Sequence, residues 1–180
     1  MSFEEKHKQG YELLHEKDLD RSLDMARELQ RLNPDAPEGF TLEAEVMQKL
    51  GQWEPSIKSL NEAIEKDSDN GRLYNLRGYS YLSADQAEEA HSDFERAIAL
   101  DNLPSAHRNM VLYKLVSGQG SEAIQYLLDR IRTDPRDIEN WILMGDIMKK
   151  GGHDEKARSY YEQALKMDPE NEYVKELLEQ

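Results

Sequence analysis

The sequence predicts an all-α fold, a right-handed superhelical solenoid of antiparallel helix pairs that ends in a C-terminal capping helix. Three observations predict it. The ten-residue phrase DFERAIALDN at 93–102 has near-copies that begin at residues 59 and 160, so the phrase recurs after 34 and 67 residues. Small residues recur with the same period, and glycines and prolines fall between the recurring segments. A fixed period of this length is typical of stacked helical repeats.

Small residues set the register of five repeats. One position holds Gly10, Ala44, Gly78, Val111 and Gly145, at spacings of 34, 34, 33 and 34. At identical spacings, a second holds Ser22, Ser56, Ala90, Ala123 and Ala157, and a third holds Leu29, Ala63, Ala97, Arg130 and Ala164. A bulky position between them holds Ala26, Leu60, Phe94, Leu127 and Tyr161. Because antiparallel helices approach closely only at small side chains, this alternation predicts tightly packed helix pairs.

The register gives a single domain, 1–180, in which each repeat is a helix, a turn and a second helix. The repeats are predicted at about 3–36, 37–70, 71–103, 104–137 and 138–171. Glycines interrupt them mid-repeat at residues 51, 118, 151 and 152. The dipeptides that close repeats are Asn33-Pro34, Asp134-Pro135 and Asp168-Pro169. Both kinds of residue are helix breakers, so they predict where the helices end.

Two segments depart from the regular pattern. The fourth repeat carries Val111 and Arg130 at small positions, which predicts looser packing there, with Ile131 supplying the missing apolar contact. The last segment, EYVKELLEQ at about 172–180, places Val174, Leu177 and Leu178 on one helical face. It predicts a short capping helix, since the last repeat of a solenoid needs a cover for its apolar face.

Two stretches carry a resemblance to a known family. The chain reads W-x-x-M-G-x-x-M…G…E-K-A…Y-x-x-A…D-P from Trp141 to Pro169, and Y-N-L-R-G-Y-S-Y…A…F-x-x-A-I from Tyr74 to Ile98. This pattern resembles the tetratricopeptide repeat (TPR) family, and five such repeats cover about residues 3–170. The resemblance implies a protein that binds a peptide or a helix along a concave face, lined by the first helix of each repeat.

Composition excludes several function classes. The chain has no cysteine, so disulfide frameworks, thiol nucleophiles and cysteine-based zinc sites are excluded. Its net charge is −14, from 37 acids against 23 bases. Such an acidic protein is repelled by phosphate backbones and anionic lipid, so we expect no nucleic-acid partner. The sequence has no signal-peptide core and no apolar run of membrane-spanning length, which predicts a cytoplasmic protein without membrane insertion.

The sequence offers no pattern that indicates catalysis, a cofactor or a metal. It has no phosphate-binding glycine loop, nucleophile elbow or HExxH motif. The pair Glu88-Glu89 is typical of a solvated helix face. His7 and His15 are eight residues apart, whereas helical metal ligands usually stand at i and i+4. We therefore expect a protein that is not an enzyme and binds neither metal nor cofactor.

Helical turns counted from the packing positions predict which side chains face the groove. The predicted partner-binding residues are Tyr11, Leu42, Arg72, Leu76, Tyr79, Leu82, Arg108, Asn109, Leu112, Leu115, Ile142, Leu143 and Lys149. Among all the positions predicted to face the groove, six bases and four acids give +2, which leaves −16 for the rest of the chain. An exposed apolar strip usually marks a binding surface. The alternative for each leucine is a contact with the next repeat, which would hide it from a ligand.

The leading interpretation is a non-catalytic adaptor or scaffold that binds a partner peptide or helix in its concave groove. The partner is expected to carry aliphatic or aromatic anchors with acidic flanks, since buried anchors dominate affinity and charges steer association. The alternative is a homo-oligomerising scaffold, in which a neighbouring subunit fills the groove. An enzyme is the third hypothesis.

Overall fold

Eleven α-helices and no strand occupy residues 1–179, the part of the chain that the computed structural model describes. They are α1 (Phe3–His15), α2 (Leu19–Leu32), α3 (Glu38–Lys49), α4 (Trp53–Lys66), α5 (Gly71–Ser83), α6 (Ala87–Asp101), α7 (Pro104–Val116), α8 (Gly120–Thr133), α9 (Ile138–Lys150), α10 (Asp154–Met167) and α11 (Glu172–Glu179). The prediction of an all-α helical repeat array is confirmed.

The chain divides into two compact units. The N-terminal unit runs from Met1 to Tyr113 and contains α1 to α6 and most of α7. The C-terminal unit begins at Lys114 and contains α8 to α11. Each unit has its own buried residues, such as Leu60 in the first and Leu127 in the second.

A turn of one geometry joins α1 to α2, α3 to α4, α5 to α6, α7 to α8 and α9 to α10. In the first turn the Lys17 amide donates to the Leu14 carbonyl (3.2 Å) and the Asp18 amide to the Leu13 carbonyl (2.9 Å). The same pair of bonds closes the other four turns. The central residues, all with positive φ, are Lys17 (63°), Gly51 (70°), Asp85 (61°), Gly118 (75°) and Gly152 (73°). This is the Schellman motif, in which glycine is the usual central residue because it lacks a Cβ.

Close helix contacts occur at the small positions that the sequence predicts. A Cβ added to Gly78 would lie 2.7 Å from Phe94 Cε1 and 3.1 Å from Asp93 Cβ, so α5 and α6 touch there. At the equivalent place in the first pair, the Ser22 hydroxyl donates to the Gly10 carbonyl at 2.9 Å and joins α1 to α2. Glycine and serine therefore sit where a larger side chain would separate the paired helices.

Bulky aliphatic and aromatic residues fill the space between the close contacts. In the N-terminal unit, one buried cluster contains Leu14, Ala26, Leu29, Leu42 and Val46, and the next contains Ala44, Leu60, Ala63 and Leu73. In the C-terminal unit, Leu127, Tyr161 and Ala164 are buried. The two clusters of the N-terminal unit each contain residues of two neighbouring repeats, as expected of stacked repeats.

The fourth repeat differs from the others at Arg130 and Ile131, while the looser packing predicted there stays a prediction. Ile131 is buried, in agreement with its expected packing role. The Nε of Arg130 is also buried and has no hydrogen-bond partner within residues 1–179. A buried donor without a partner is costly, so this position is less favourable than its alanine counterparts in the second, third and fifth repeats.

Helix α11 lies at the predicted capping segment. Val174 is fully buried, whereas Leu177 and Leu178 are half-buried. The Asn171 side chain accepts a hydrogen bond from the Val174 amide (3.2 Å), which satisfies one free donor of the first turn. The predicted segment extends to residue 180, which lies outside the described residues.

Replacing Ala97 by leucine is expected to destabilise the protein by about 1–3 kcal/mol, because the added methylenes have no room in a fully buried helix contact. Urea unfolding measures the change. Ala99 lies on the same helix α6 but is exposed. It provides the control, since Ala99→Leu should change the stability by no more than about 0.5 kcal/mol. Equal midpoints for both variants would contradict the register of the repeats.

Candidate partner-binding site

A pocket of ≈ 580 Å³ lies in the N-terminal unit, between α1, the turn after it, α2, α3 and α5. We call it the N-terminal pocket. Leu14 and Leu19 form its apolar part, and Leu14 belongs to the buried cluster beneath. Its other lining residues are polar or charged: Tyr11, His15, Lys17, Glu45, Lys49 and Arg72. The pocket therefore combines an apolar floor with a charged rim.

Three helices meet in a hydrogen-bond network on one wall of this pocket. The Tyr11 hydroxyl of α1 donates to Glu45 Oε1 of α3 at 2.7 Å. The Arg72 guanidinium of α5 donates to the same carboxylate and to the Tyr11 hydroxyl oxygen, the latter at 3.2 Å. Burial and the neighbouring Glu45 carboxylate raise the pKa of Tyr11 to about 12. The phenol therefore stays protonated at neutral pH and holds the carboxylate in place.

The charge of the pocket is opposite to that of the chain. Three cations and one carboxylate line it, so its walls carry +2 with His15 neutral, whereas the whole chain carries −14. Glu45 pairs with Arg72. Lys17 and Lys49 are exposed and form no ion pair within residues 1–179. Two ammonium groups are thus available to an anionic ligand.

Two of the predicted anchors are exposed in the N-terminal unit. Tyr79 on α5 is 39% exposed and Leu112 on α7 is 37% exposed. The Tyr79 ring also meets the Trp53 ring edge-on, with 6.1 Å between centroids, so its orientation is supported from one side. Tyr79 follows Arg72 by seven residues, which places both on one face of α5 about 10.5 Å apart along the helix axis.

Other predicted residues of this unit lie between surface and core. Leu76 and Leu82 are partly buried, and Leu76 packs against the cluster that contains Leu60. The Asn109 side-chain amide donates through Nδ2 to Asn75 Oδ1 at 2.9 Å, which joins α7 to α5. Arg108 is partly buried beside it. The structure thus brings Tyr11 together with Arg72 directly and connects α5 with α7 through Asn109.

For two residues, the prediction that the side chain faces the groove is wrong. Leu42 is fully buried and Ile142 is 7% exposed, so neither offers surface to a partner. For Leu42 the cause lies in the preceding repeat. Gly10 has no side chain, and Leu42 fills the space that a Cβ there would occupy. The contact with a neighbouring repeat, weighed above as an alternative for each leucine, is the correct interpretation of Leu42.

The remaining predicted residues belong to the C-terminal unit. Leu115 and Leu143 are partly buried. Lys149 lines a second pocket of ≈ 390 Å³, together with Tyr161 of α10 and Leu177 and Leu178 of α11. These residues stay predicted contributors to partner binding.

Sequence reasoning missed Lys17. It lies in the turn between α1 and α2 and lines the N-terminal pocket. A signal was present, because Lys17 occupies the turn position that holds glycine at 51, 118 and 152. A lysine at a position that favours glycine on backbone grounds is an indication of a role for its side chain.

The described residues contain no group of three or more histidines, aspartates or glutamates placed to hold a metal ion. His7 packs edge-on against Tyr11, with 5.0 Å between ring centroids, so it supports the pocket wall. Within residues 1–179 no helix has the length and apolar character needed to cross a bilayer.

Comparisons with known proteins identify two of the repeats by sequence. Family models described as tetratricopeptide repeat match residues 71–102 and 138–171. Tetratricopeptide repeat protein 13 from Homo sapiens is 36% identical over 84 residues, which cover 46% of this chain and 9% of that protein. The chain covers between 9% and 22% of the length of six curated relatives that it matches. The similarity is therefore to parts of longer proteins.

Solved structures share the fold. TTC0263, a thermophilic TPR protein in Thermus thermophilus, has a TM-score of 0.83 and 16% identity, covering 99% of this chain and 97% of that chain. YrrB, a TPR protein with an unusual peptide-binding site, has a TM-score of 0.61 and 16% identity, covering 97% of this chain and 91% of that chain. At these identities the likeness concerns the fold alone.

Proposed function

Because family models described as tetratricopeptide repeat match residues 71–102 and 138–171, we propose that this chain is a member of that family and a non-catalytic adaptor that binds a partner segment on the concave side, along the first helices of its repeats. Folds of this family are typically non-catalytic scaffolds for protein–protein interaction. The partner is a peptide or helix with aliphatic or aromatic anchors and acidic flanks. A cytoplasmic location stays a prediction from the sequence.

One observation carries this proposal: the first helices α5 and α7 each present an exposed apolar side chain on the same face as an arginine. Tyr79 lies two turns after Arg72, and Leu112 lies one turn after Arg108. Tyrosine and arginine are enriched among the residues that dominate protein interfaces, and Leu112 adds apolar surface on the neighbouring first helix. The positions predicted to face the groove sum to +2, which would steer an acidic partner toward them, whereas the remainder of the chain carries −16.

Truncation of both anchors tests the proposal. Tyr79→Ala with Leu112→Ala is expected to lose the native partner, since removing one interface anchor commonly costs about 2 kcal/mol, or about thirtyfold in affinity. Quantitative mass spectrometry of proteins captured from native lysate compares the variant with the wild type. Circular dichroism should show nearly unchanged helicity and melting, because both side chains are more than a third exposed and only the edge contact of Tyr79 with Trp53 is lost.

The matched control removes the same residue types elsewhere. Leu32 on α2 and Tyr173 on α11 are 57% and 54% exposed and do not lie on first helices. Leu32→Ala with Tyr173→Ala should retain the partner. Equal partner recovery by the Tyr79/Leu112 variant would contradict the proposal. A homo-oligomeric scaffold would instead show a molar mass that rises with concentration in light scattering, and the same anchor truncations would abolish that rise.

A further inference from the structure

We propose that the N-terminal pocket is a distinct subsite for an acidic stretch of peptide that also carries an aliphatic side chain, and that Lys17 is the residue that selects it. This inference rests on the proposed function, since it assigns the acidic flank of the partner to a defined place. It goes further in naming the chemistry of that flank and a residue outside the first helices.

The backbone conformation of Lys17 indicates a role for its side chain. Its φ of 63° lies in the left-handed region, which glycine adopts freely and residues with a Cβ adopt at a cost. Three of the five equivalent turns carry glycine, and Asp85 occupies the fourth. Aspartate tolerates this conformation because its short polar side chain bonds locally, but lysine has no such compensation. Strained residues of this kind concentrate at functional sites.

The location of Lys17 in the pocket indicates the same role. Lysine replaces glycine in the one turn whose central residue lines the N-terminal pocket. Lys49, at the end of α3, lines the same pocket, and both ammonium groups lack a carboxylate partner within residues 1–179. Arg72 is half-exposed and already paired with Glu45, so its charge is largely compensated. Lys17 and Lys49 therefore carry the uncompensated positive charge of the pocket.

The floor of the pocket defines the rest of the ligand. Leu14 and Leu19 offer apolar surface beneath the charged rim, which an aliphatic side chain of the ligand can cover. The volume of ≈ 580 Å³ falls within the range of about 300–1,000 Å³ that is usual for small-ligand sites. It accommodates a few side chains rather than a complete helix. A nucleic-acid backbone has no aliphatic side chain to cover this floor, whereas an acidic peptide that contains a leucine has one beside the carboxylates that Lys17 and Lys49 attract.

The test uses a short fluorescein-labelled peptide of glutamates and leucines, titrated with the full chain in a fluorescence anisotropy assay. The wild type should bind it, with an affinity that falls as salt increases. Lys17→Gly should weaken binding about two- to fivefold, as expected for one exposed charge. The same variant should melt about 2–4 °C higher, because relief of strain outweighs the freedom that glycine adds to the unfolded chain. Improved stability with weaker binding is the expected signature.

Asp85→Gly is the matched control. It introduces glycine at the equivalent turn of the third repeat, away from the pocket, so it should raise the melting temperature less than Lys17→Gly does and leave peptide affinity unchanged. Lys17→Gln, which keeps the strain and removes only the charge, should lose affinity as Lys17→Gly does. Lys17→Arg should retain affinity. Together these variants separate the charge of Lys17 from its backbone.

Three results would overturn the inference. In the first, the wild type and Lys17→Gln bind the acidic peptide equally well. In the second, the wild type binds the acidic peptide no better than a peptide with glutamine in place of glutamate. In the third, the wild type does not bind the acidic peptide. None of these affects the proposed function if the Tyr79/Leu112 variant still loses the native partner. Retention of that partner by the Tyr79/Leu112 variant would instead contradict the proposed function while peptide binding at the pocket persists.

Discussion

Replacing Arg77 by methionine is expected to destabilise the N-terminal unit by about 3–5 kcal/mol, the range measured when one partner of a buried ion pair is removed. Arg77 Nε and Nη2 donate to the two carboxylate oxygens of Asp93, each at 2.7 Å. The side chains of Arg77 and Asp93 are 19% and 7% exposed. Without the guanidinium, Asp93 is left as a buried charge with no cation beside it.

Arg77 also joins three helices, so its loss has more than one consequence. Its Nη1 donates to Asn61 of α4 at 2.7 Å, while Arg77 lies on α5 and Asp93 on α6. Its Cζ lies 5.5 Å from the centroid of the Tyr74 ring and 5.7 Å from that of Tyr81. Methionine retains much of the apolar stem, so the variant isolates the loss of charge and hydrogen bonds from the loss of packing.

The pH dependence of this defect has a definite sign. Burial raises the pKa of Asp93, and Arg77 partly opposes that rise. In the methionine variant the pKa of Asp93 should rise further. A carboxyl with a raised pKa in the folded state favours folding below its unfolded pKa and loses that contribution as pH increases through the folded pKa. The deficit relative to wild type should therefore be large at pH 7 and shrink towards about pH 4.

Urea unfolding at several pH values measures this deficit. Arg77→Met with Asp93→Asn should recover most of the stability, because no buried charge remains. Arg96→Met supplies the control. Arg96 also lies near the Tyr74 ring, but its side chain is 49% exposed and pairs with Asp69. Because exposed ion pairs contribute about 0–1 kcal/mol, this variant should lose little stability. A deficit of Arg77→Met that does not change with pH would show that Asp93 is not the cause.

The helix pairs could be predicted from the sequence because the small residues and turn residues that define each pair are close in sequence and recur in five repeats. Gly78 and Gly145 both stand where a paired helix comes within contact distance. Each occurrence alone is weak evidence for a close approach. Recurrence at one spacing removes the ambiguity, since chance small residues do not keep a common period. The turns follow the same logic, because a Schellman motif depends on a few consecutive residues.

The candidate site was less predictable because it depends on contacts between repeats. Counting helical turns gives the direction of a side chain but not what covers it. Leu42 points toward the preceding repeat and is buried over Gly10, whereas Tyr79 remains exposed. The bond between Tyr11 and Arg72 joins residues 61 positions apart, and no local pattern specifies it. Lys17 lies in the turn between α1 and α2, where counting helical turns gives no direction for a side chain.

The second large effect concerns the contact between α9 and α10 in the C-terminal unit. A Cβ added to Gly145 would lie 2.6 Å from Tyr161 Cδ1 and 2.9 Å from its Cζ. The ring cannot turn aside easily, because Tyr161 is 2% exposed and its hydroxyl donates to Asp146 Oδ1 at 2.8 Å. Gly145→Ala should therefore destabilise the unit by about 1–3 kcal/mol through overpacking. Tyr161→Ala should destabilise it by about 3–5 kcal/mol through the cavity it leaves.

These two changes should not add, and their non-additivity tests the contact. In the double variant Gly145→Ala with Tyr161→Ala, the new methyl group enters space that the ring has vacated, so the loss of stability should be smaller than the sum by about 1–3 kcal/mol. Tyr161→Phe keeps the ring and removes only the hydroxyl that anchors it, so its combination with Gly145→Ala should fall short of the sum by less than the alanine combination does. Urea unfolding of the single and double variants gives both cycles. Additive losses in the alanine cycle would mean that Gly145 is required for a reason other than the proximity of Tyr161.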